Sequence, residues 1–528
     1  SLKEISFIGL LLNKILAGKE NIDFIKFCKF CNLLNVIITL SLAAKSRTVP
    51  NRLKNIFQKT KIVATVGPAC NTDPGLVSLV NAGVDVFRLN FSHSSHSEHK
   101  AVIDHITAIN ERNNVHIGIL ADLQGPKLRV GKIENGSIDI VPGDILTFTN
   151  EECLGTKEKI YMSYDQFAQD VNVGEKILVD DGKIELEVVS TNKKDEVKLK
   201  VMYGFTLSSN KGVNLPDTQV SLPCLTVKDL EDLDFILTQP VNWIALSFVR
   251  KASDILDLKQ RIAAKGHHAK VIAKIEKPEA IKNIEEIVDA TDAVMIARGD
   301  LGVEMPIEMI PTTQKHIIQL CLQKAKPVIV ATQMMESMIT NPSPTRAEVT
   351  DVANAVLDGA DAVMLSGETS VGNHPSLVVQ AMNRIIVNAE KNYHLQGKRT
   401  KPDPQTGSFL SDALCYSAAQ LADRIMAKAI LGLTVVGYTA FKVSSYRPDA
   451  AIYIFSSHKH MLATLNLVWG VRCFHYDKFS STDETIEDLT NDLKNRNLLK
   501  EGDIIVNTGS MPLHKRFKTN MLKITVVE

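Results

Sequence analysis

Short runs of Val, Ile and Ala recur along the chain from about residue 60, and the stretches between them place apolar residues at helical spacing. The runs are "KIVATVG" (61–67), "VDVFRLNF" (84–91), "HIGILADLQG" (116–125), "WIALSFV" (243–249), "KVIAKIE" (270–276), "AVMIARGD" (293–300), "PVIVATQM" (327–334) and "AVMLSGE" (362–368). Strands that are apolar without alternation are buried on both faces, and eight of them alternating with helices predict a closed (β/α)8 TIM barrel. Only the third interval is too long for one helix: roughly a hundred residues separate Gly125 from Trp243. It contains alternating segments such as "KILVDDGKIELEVVS" (176–190), which read as hairpins of an inserted all-β lid domain. Beyond residue 392, "LQGKRTKPDPQTG" reads as a linker to a C-terminal α/β domain with strands such as "AIYIF" and "DIIVNTG". The expected layout is an N-terminal extension (1–54), the barrel (55–126 and 222–391), the lid (127–221) and the C-terminal domain (392–528).

The first fifty residues break this rhythm. "FIGLLL" and "LLNVIITLSLAA" are apolar, but neither reaches the ~18 residues of a membrane span, and the second lies too deep for an ordinary signal peptide. With Ser1 at the start, a fragment or a mis-assigned upstream start is expected, with export or organelle targeting as the alternative. Lys+Arg and Asp+Glu are 60 each, so no global charge recruits nucleic acid or an anionic membrane, and an anionic ligand needs local cations. Eight scattered cysteines argue for a reducing, cytoplasmic setting, and Cys28 and Cys31 have no second pair or nearby His to complete a zinc site.

Barrel enzymes draw their chemistry from the C-terminal ends of several strands. Here those ends carry Arg88, Asn90 and Ser92; Asp122, followed by Lys127 and Arg129; Lys274 and Glu276; Arg298 and Asp300; Thr332 and Gln333; and Ser366 and Glu368. Lys274 and Glu276, two apart on a strand, project to one face. Glu276 and Asp300 are hard oxygen donors suited to Mg2+, and Arg88, Arg129 and Lys274 supply the charge that a phosphoryl group needs. With no Walker A or G-x-G-x-x-G sequence after these strands, side chains and metal must hold the phosphates. His93, His96 and His99 are expected to be exposed residues at a helix start, and "MMESM" (334–338) core and helix start.

The chain resembles the pyruvate kinases over roughly residues 55–528. The resemblance is carried by "TKIVATVGPA" (60–69), "FRLNFSH" (87–93), "VDDG" (179–182), "KGVNLP" (211–216), "AKIEKPEAIKNIEEI" (273–287), "MIARGDLGVE" (295–304) and "ATQMMESMITNPSPTRAEVTDVANAVLDGADAVMLSGET" (331–369). It implies phosphoenolpyruvate and ADP as substrates, pyruvate and ATP as products, and a homotetramer. By motif it implies Lys274 at the transferring phosphoryl group, Glu276 and Asp300 on Mg2+ (or Mn2+), and the backbone of Ala297, Arg298 and Gly299 on the substrate carboxylate. Thr332 would take part in protonating the enolate, Arg88 and Arg129 would clamp phosphoryl oxygens, and Asn90, Arg129, Asp181 and Lys211 would lie on the nucleotide side. The choice between Asp180 and Asp181 stays open.

Many pyruvate kinases require K+, and those resemble one another in a glutamate after the Gly-Pro of the third strand's loop. This chain has Lys127 there, with Leu123 and Gln124 in place of the usual threonine and lysine. The lysine is expected to replace the cation's charge at a site otherwise formed by Asn90, Ser92 and Asp122, so that K+ is not required. Asp217 replaces the usual glycine in "KGVNLPD", and "GSMPLHKRFKTNML" (509–522) lacks the usual small-residue loop; its basic cluster Lys515, Arg516 and Lys518 is expected to be a solvated face. A lyase or aldolase acting on an enolate would need neither "VDDG" nor Arg129, and a non-catalytic relative would have lost one of Lys274, Glu276, Asp300 and Thr332.

Overall fold

The structure, a computed structural model, describes residues 58–392, 399–478, 481–510 and 518–528. The extension, Cys28, Cys31, Lys515 and Arg516 lie outside the described residues.

Eight strands close into one parallel barrel: Lys61–Thr65, Val86–Asn90, Gly118–Asp122, Trp243–Leu246, Lys270–Ile275, Ala293–Ala297, Val328–Ala331 and Ala362–Leu365. The first pairs with the eighth, Lys61 opposite Ala362, which completes the ring. Each strand is shorter than its apolar run, because the last residues of the run turn into the loops of the mouth. Val63, Val86, Leu120, Trp243, Ala245, Ile272, Met295, Ile329 and Met364 fill the interior as one cluster with Leu467 of the C-terminal domain. Helices begin where the sequence supplies caps: Ser95 with Glu98, and Thr345 with Glu348, form capping boxes.

After the third strand the chain leaves the barrel and forms a six-stranded sheet and a two-stranded sheet around their own core. Ile184–Thr191 and Glu196–Tyr203 pair antiparallel with alternate residues buried, the period expected of a sheet with one wet face. Two short helical turns, Glu134–Gly136 and Phe167–Asp170, interrupt the all-β insert. Asp217 has a structural use: its carboxylate accepts the Lys176 N–H at 3.1 Å.

The C-terminal domain is a five-stranded sheet, four strands parallel and Met521–Val526 antiparallel at one edge. It seals the N-terminal end of the barrel. The indole N–H of Trp243 donates to Thr464 O at 3.1 Å, and the fully buried Lys61 donates to Val471 O at 2.7 Å.

Candidate active site

The side chains that fill the barrel interior alternate along each strand, and the same inward rows turn polar at the C-terminal end. Val86 is followed on its row by Arg88 and Asn90, Leu120 by Asp122, Ala245 by Ser247, and Ile272 by Lys274 and Glu276. One period of two thus builds both the core and the mouth.

Lys274 is the hub. Its ammonium lies 2.8 Å from Glu276 Oε1 and 3.3 Å from Asp122 Oδ1, and donates to Ser247 Oγ at 2.7 Å. Burial would lower its pKa, but Asp122 and Glu276 outweigh burial and hold it above the ordinary lysine range. Arg88 lies beside it, with Nε 2.6 Å from Asp122 Oδ2 and Nη1 donating to Thr65 Oγ1 at 3.0 Å. Burial opposes ionisation of Asp122, yet Lys274 and Arg88 bring it below the usual carboxylate range. Glu276 is pushed up by burial, against the pull of Lys274, and the charge of Asp300 pushes it the same way. Its Oε2 accepts the Phe248 N–H at 2.6 Å.

The sixth strand runs directly into the helix Arg298–Glu304, with Ala297 before its first turn and Asp300 within that turn. The Gly299 N–H donates to Thr332 Oγ1 at 2.7 Å, and a Cβ at Gly299 would lie 3.5 Å from the Thr332 side chain. Thr332 (φ 68°) and Gln333 (φ 55°) are left-handed, a conformation that costs a β-branched residue about 1–3 kcal/mol and marks a position held for a purpose. The Arg298 guanidinium does the holding. It donates to Thr332 O at 2.8 Å, touches Met334 Sδ, and is anchored by Asp351 at 2.8 Å. Arg298 therefore contributes backbone, not its charge, to the mouth.

A cleft between the insert and the barrel is lined by Lys127, Asp181, Asn214, Phe248, Lys277, Asp300 and Glu304. Asp180 and Asp181 are both left-handed, in the tight turn before Gly182. The Asp180 carboxylate is held by Lys211 at 2.8 Å and Lys183 at 3.2 Å, whereas Asp181 lines the cleft. Arg129 stands on the insert with Nη1 donating to Asn210 O at 2.8 Å, so neither it nor Lys211 joins the cluster around Lys274. Asn90 Oδ1 accepts the Ser92 N–H at 3.1 Å.

Two expectations are corrected. The eighth strand does not add a free charge to the mouth: Glu368 is buried and accepts the N–H groups of Met335 and Ser366, which the turn leaves without helix partners. His99 is 6% exposed, stacked on Phe91 and bonded to His93 O, whereas His93 and His96 are exposed as expected, His96 with Asp232 at 2.7 Å. The signal for His99 was present in the sequence, three residues beyond His96 on the inner face of the helix His96–Asn113. Ser247 went unnoticed, although it lies on the inward row one step beyond Ala245.

A family model described as "Pyruvate kinase, barrel domain" matches residues 57–379, and one described as "Pyruvate kinase, alpha/beta domain" matches residues 412–525. The chain belongs to the pyruvate kinase family. It is 42% identical to a pyruvate kinase of Geobacillus stearothermophilus over 89% of this chain and 80% of that one. With a pyruvate kinase of Mycobacterium tuberculosis it shares 41% identity, covering 88% and 98%. The crystal structure of a pyruvate kinase from Cryptosporidium parvum superposes with a TM-score of 0.84 at 34% identity, covering 89% and 96%. The chain is thus a phosphotransferase, and the pyruvate kinase reaction moves a phosphoryl group from phosphoenolpyruvate to ADP. The N-terminal seal, the open C-terminal mouth and the insert above it are the pyruvate kinase architecture, and none of the described helices is long and apolar enough to cross a membrane.

Proposed function

We propose that this chain makes pyruvate and ATP in the mouth of its barrel with Lys274 as the central electrophilic group. The supporting observation is that Lys274 is charged, nearly buried and ringed by Ser247, Glu276 and Asp122. A cation fixed there neutralises charge as it passes from phosphoryl oxygens to the enolate oxygen. Its contact to Asp122 is the longest, so that donor is the one freed for the phosphoryl group. Arg88, aligned by Asp122 and Thr65, grips the same group, and Arg129 and Lys211 approach with Asn90 and Asp181 on the nucleotide side as the insert, residues 127–221, closes and excludes water.

Glu276 and Asp300 fit Mg2+, with Mn2+ able to replace it. They are hard donors on neighbouring strand ends, the charge of Asp300 pushes the proton affinity of Glu276 up, and the Asp300 carboxylate has no hydrogen bond or ion pair among the described residues. When bound, the ion neutralises the substrate's carboxylate and enolate oxygens. The N–H groups at Ala297, Arg298 and Gly299 hold that carboxylate. Gly299 leaves Thr332 Oγ1 to do so, which opens that oxygen to a water, and the hydroxyl turns from Ala331 O, to which it donates at 2.5 Å, to relay a proton through that water to the enolate carbon.

K+ is not required in this reading. Leu123 O accepts the Ser247 hydroxyl at 2.7 Å, Asp122 is engaged by Arg88 and Lys274, and Lys127 brings a fixed positive charge to the cleft. The protein works as a cytoplasmic homotetramer with no nucleic-acid or membrane partner. The test is direct: pyruvate formation from phosphoenolpyruvate and ADP with Mg2+, followed by a coupled assay. Absence of product from the folded protein sinks the proposal.

A further inference from the structure

Glu304 ends the helix that carries Asp300, one turn away on the same face. Its Oε1 accepts from two directions: Asn214 of the insert at 2.8 Å, and Lys277, in the loop just past Glu276, at 2.5 Å. Its Oε2 is buried without any hydrogen-bond partner, and the residue is 3% exposed. A buried carboxylate that leaves one oxygen unpaired is an inefficient structural ion pair, and such groups call for another explanation. The insert touches the same helix a second time, where a Cβ at Gly182 would lie 3.9 Å from Val303. Asn214, Lys277, Glu304, Asp300 and Asp181 all line one cleft.

We infer that Glu304 is a positioning residue for the nucleotide half of the reaction: through Asn214 it ties the seating of the insert to the helix that presents Asp300. The Lys277 ammonium pairs with Glu304, so that the carboxylate accepts from Asn214 without competing with Asp300 for a cation. When Asn214 lets go, the insert loses its polar anchor on this helix, and the nucleotide loses the closed cleft. The inference rests on the kinase reading above, with the insert on the nucleotide side.

The test uses the full-length protein. Asn214→Ala raises KM for ADP about tenfold, the size expected for losing one hydrogen bond to a charged group. KM for phosphoenolpyruvate and the exchange of pyruvate methyl protons in 2H2O, which need only the barrel mouth, stay within about twofold. Asn214→Asp, which sets two carboxylates against each other, is worse, and Asn214→Asp/Glu304→Gln, which restores one amide and one carboxylate beside Lys277, recovers most of the ADP affinity. If KM for ADP does not move in Asn214→Ala, if both KM values rise together, or if the swapped pair gives no rescue over Asn214→Asp, the junction is only structural and the inference falls. An unsubstituted protein that makes no pyruvate from phosphoenolpyruvate and ADP overturns the kinase reading instead, which keeps the two failures apart.

Discussion

Lys274 and Glu276 stand two residues apart and touch, yet substitutions separate what they do. Lys274→Met removes the cation proposed to meet the phosphoryl group while leaving both carboxylates proposed to hold the metal. Phosphoryl transfer should fall by at least about 10³-fold, with pyruvate methyl-proton exchange slowed but still measurable by NMR. Retained transfer would remove Lys274 from its role. Glu276→Gln keeps the acceptor for the Phe248 N–H and the shape of the site but loses the charge. Its kcat should drop about 10²- to 10³-fold, with a higher Mg2+ concentration at half activity, and an unchanged Mg2+ dependence would refute its place as a ligand. Strand parity made this pair legible from "AKIEKPEA" alone. The same parity could not show that Glu368 is spent on two backbone N–H groups, because those donors come from turns whose path depends on the closed barrel. Nor does a threonine in sequence announce a left-handed backbone: Thr332 is held there by Arg298, and Arg298 by Asp351, contacts between residues far apart in the chain.

At the scale of elements, the loop that leaves the third strand carries the most specific expectation. Lys127 is exposed on the cleft, while the carboxylate of Asp122 already has two cationic partners. A monovalent ion at Asn90, Ser92 and Asp122 would therefore enter a site already crowded with positive charge. Activity should be close to full in buffers whose only monovalent cations are large tetraalkylammonium ions, and Lys127→Glu should move the enzyme toward K+ dependence. A rate that collapses in such buffers and returns with K+ defeats the expectation. The insert itself was readable as hairpins because its strands alternate, whereas the barrel strands were readable because they do not. What alternation could not distinguish was Asp180 from Asp181: both sit in the turn, and only the positions of Lys211 and Lys183 show which carboxylate is tied down.

For the molecule as a whole, exposed apolar faces bear on assembly and the sealed end of the barrel bears on stability. The side of the barrel between the helices Arg346–Asp358 and Pro375–Asn392 holds an apolar groove of about 550 Å3 lined by Val349, Leu357 and Ile385, and the C-terminal sheet presents the outer edge of Met521–Val526 with Ile524 and Val526 exposed. Two such faces, each paired with its copy about a two-fold axis, would close the proposed tetramer without free ends. Light scattering should give the mass of four chains, and Val349→Glu should reduce it to two; a monomer for the parent protein contradicts the assembly. The sealed end predicts an acid limit. His116 precedes the third strand at the seam with the C-terminal domain, where burial first, and then the charges of His475, Lys459 and Arg496, lower its pKa to about 4. An unfolded chain titrates His near 6.5, so as the pH falls from about 6.5 to 4 the unfolded state takes up a proton that the folded state refuses. Stability is complete above that window and is lost as the pH falls through it. Partial exposure reduces the full linkage, leaving a cost of about 2 kcal/mol. His116→Gln removes this titration. Its melting temperature should fall less between pH 7 and pH 4.5 than that of the parent, and an equal fall in both would mean that the seam does not set the acid limit.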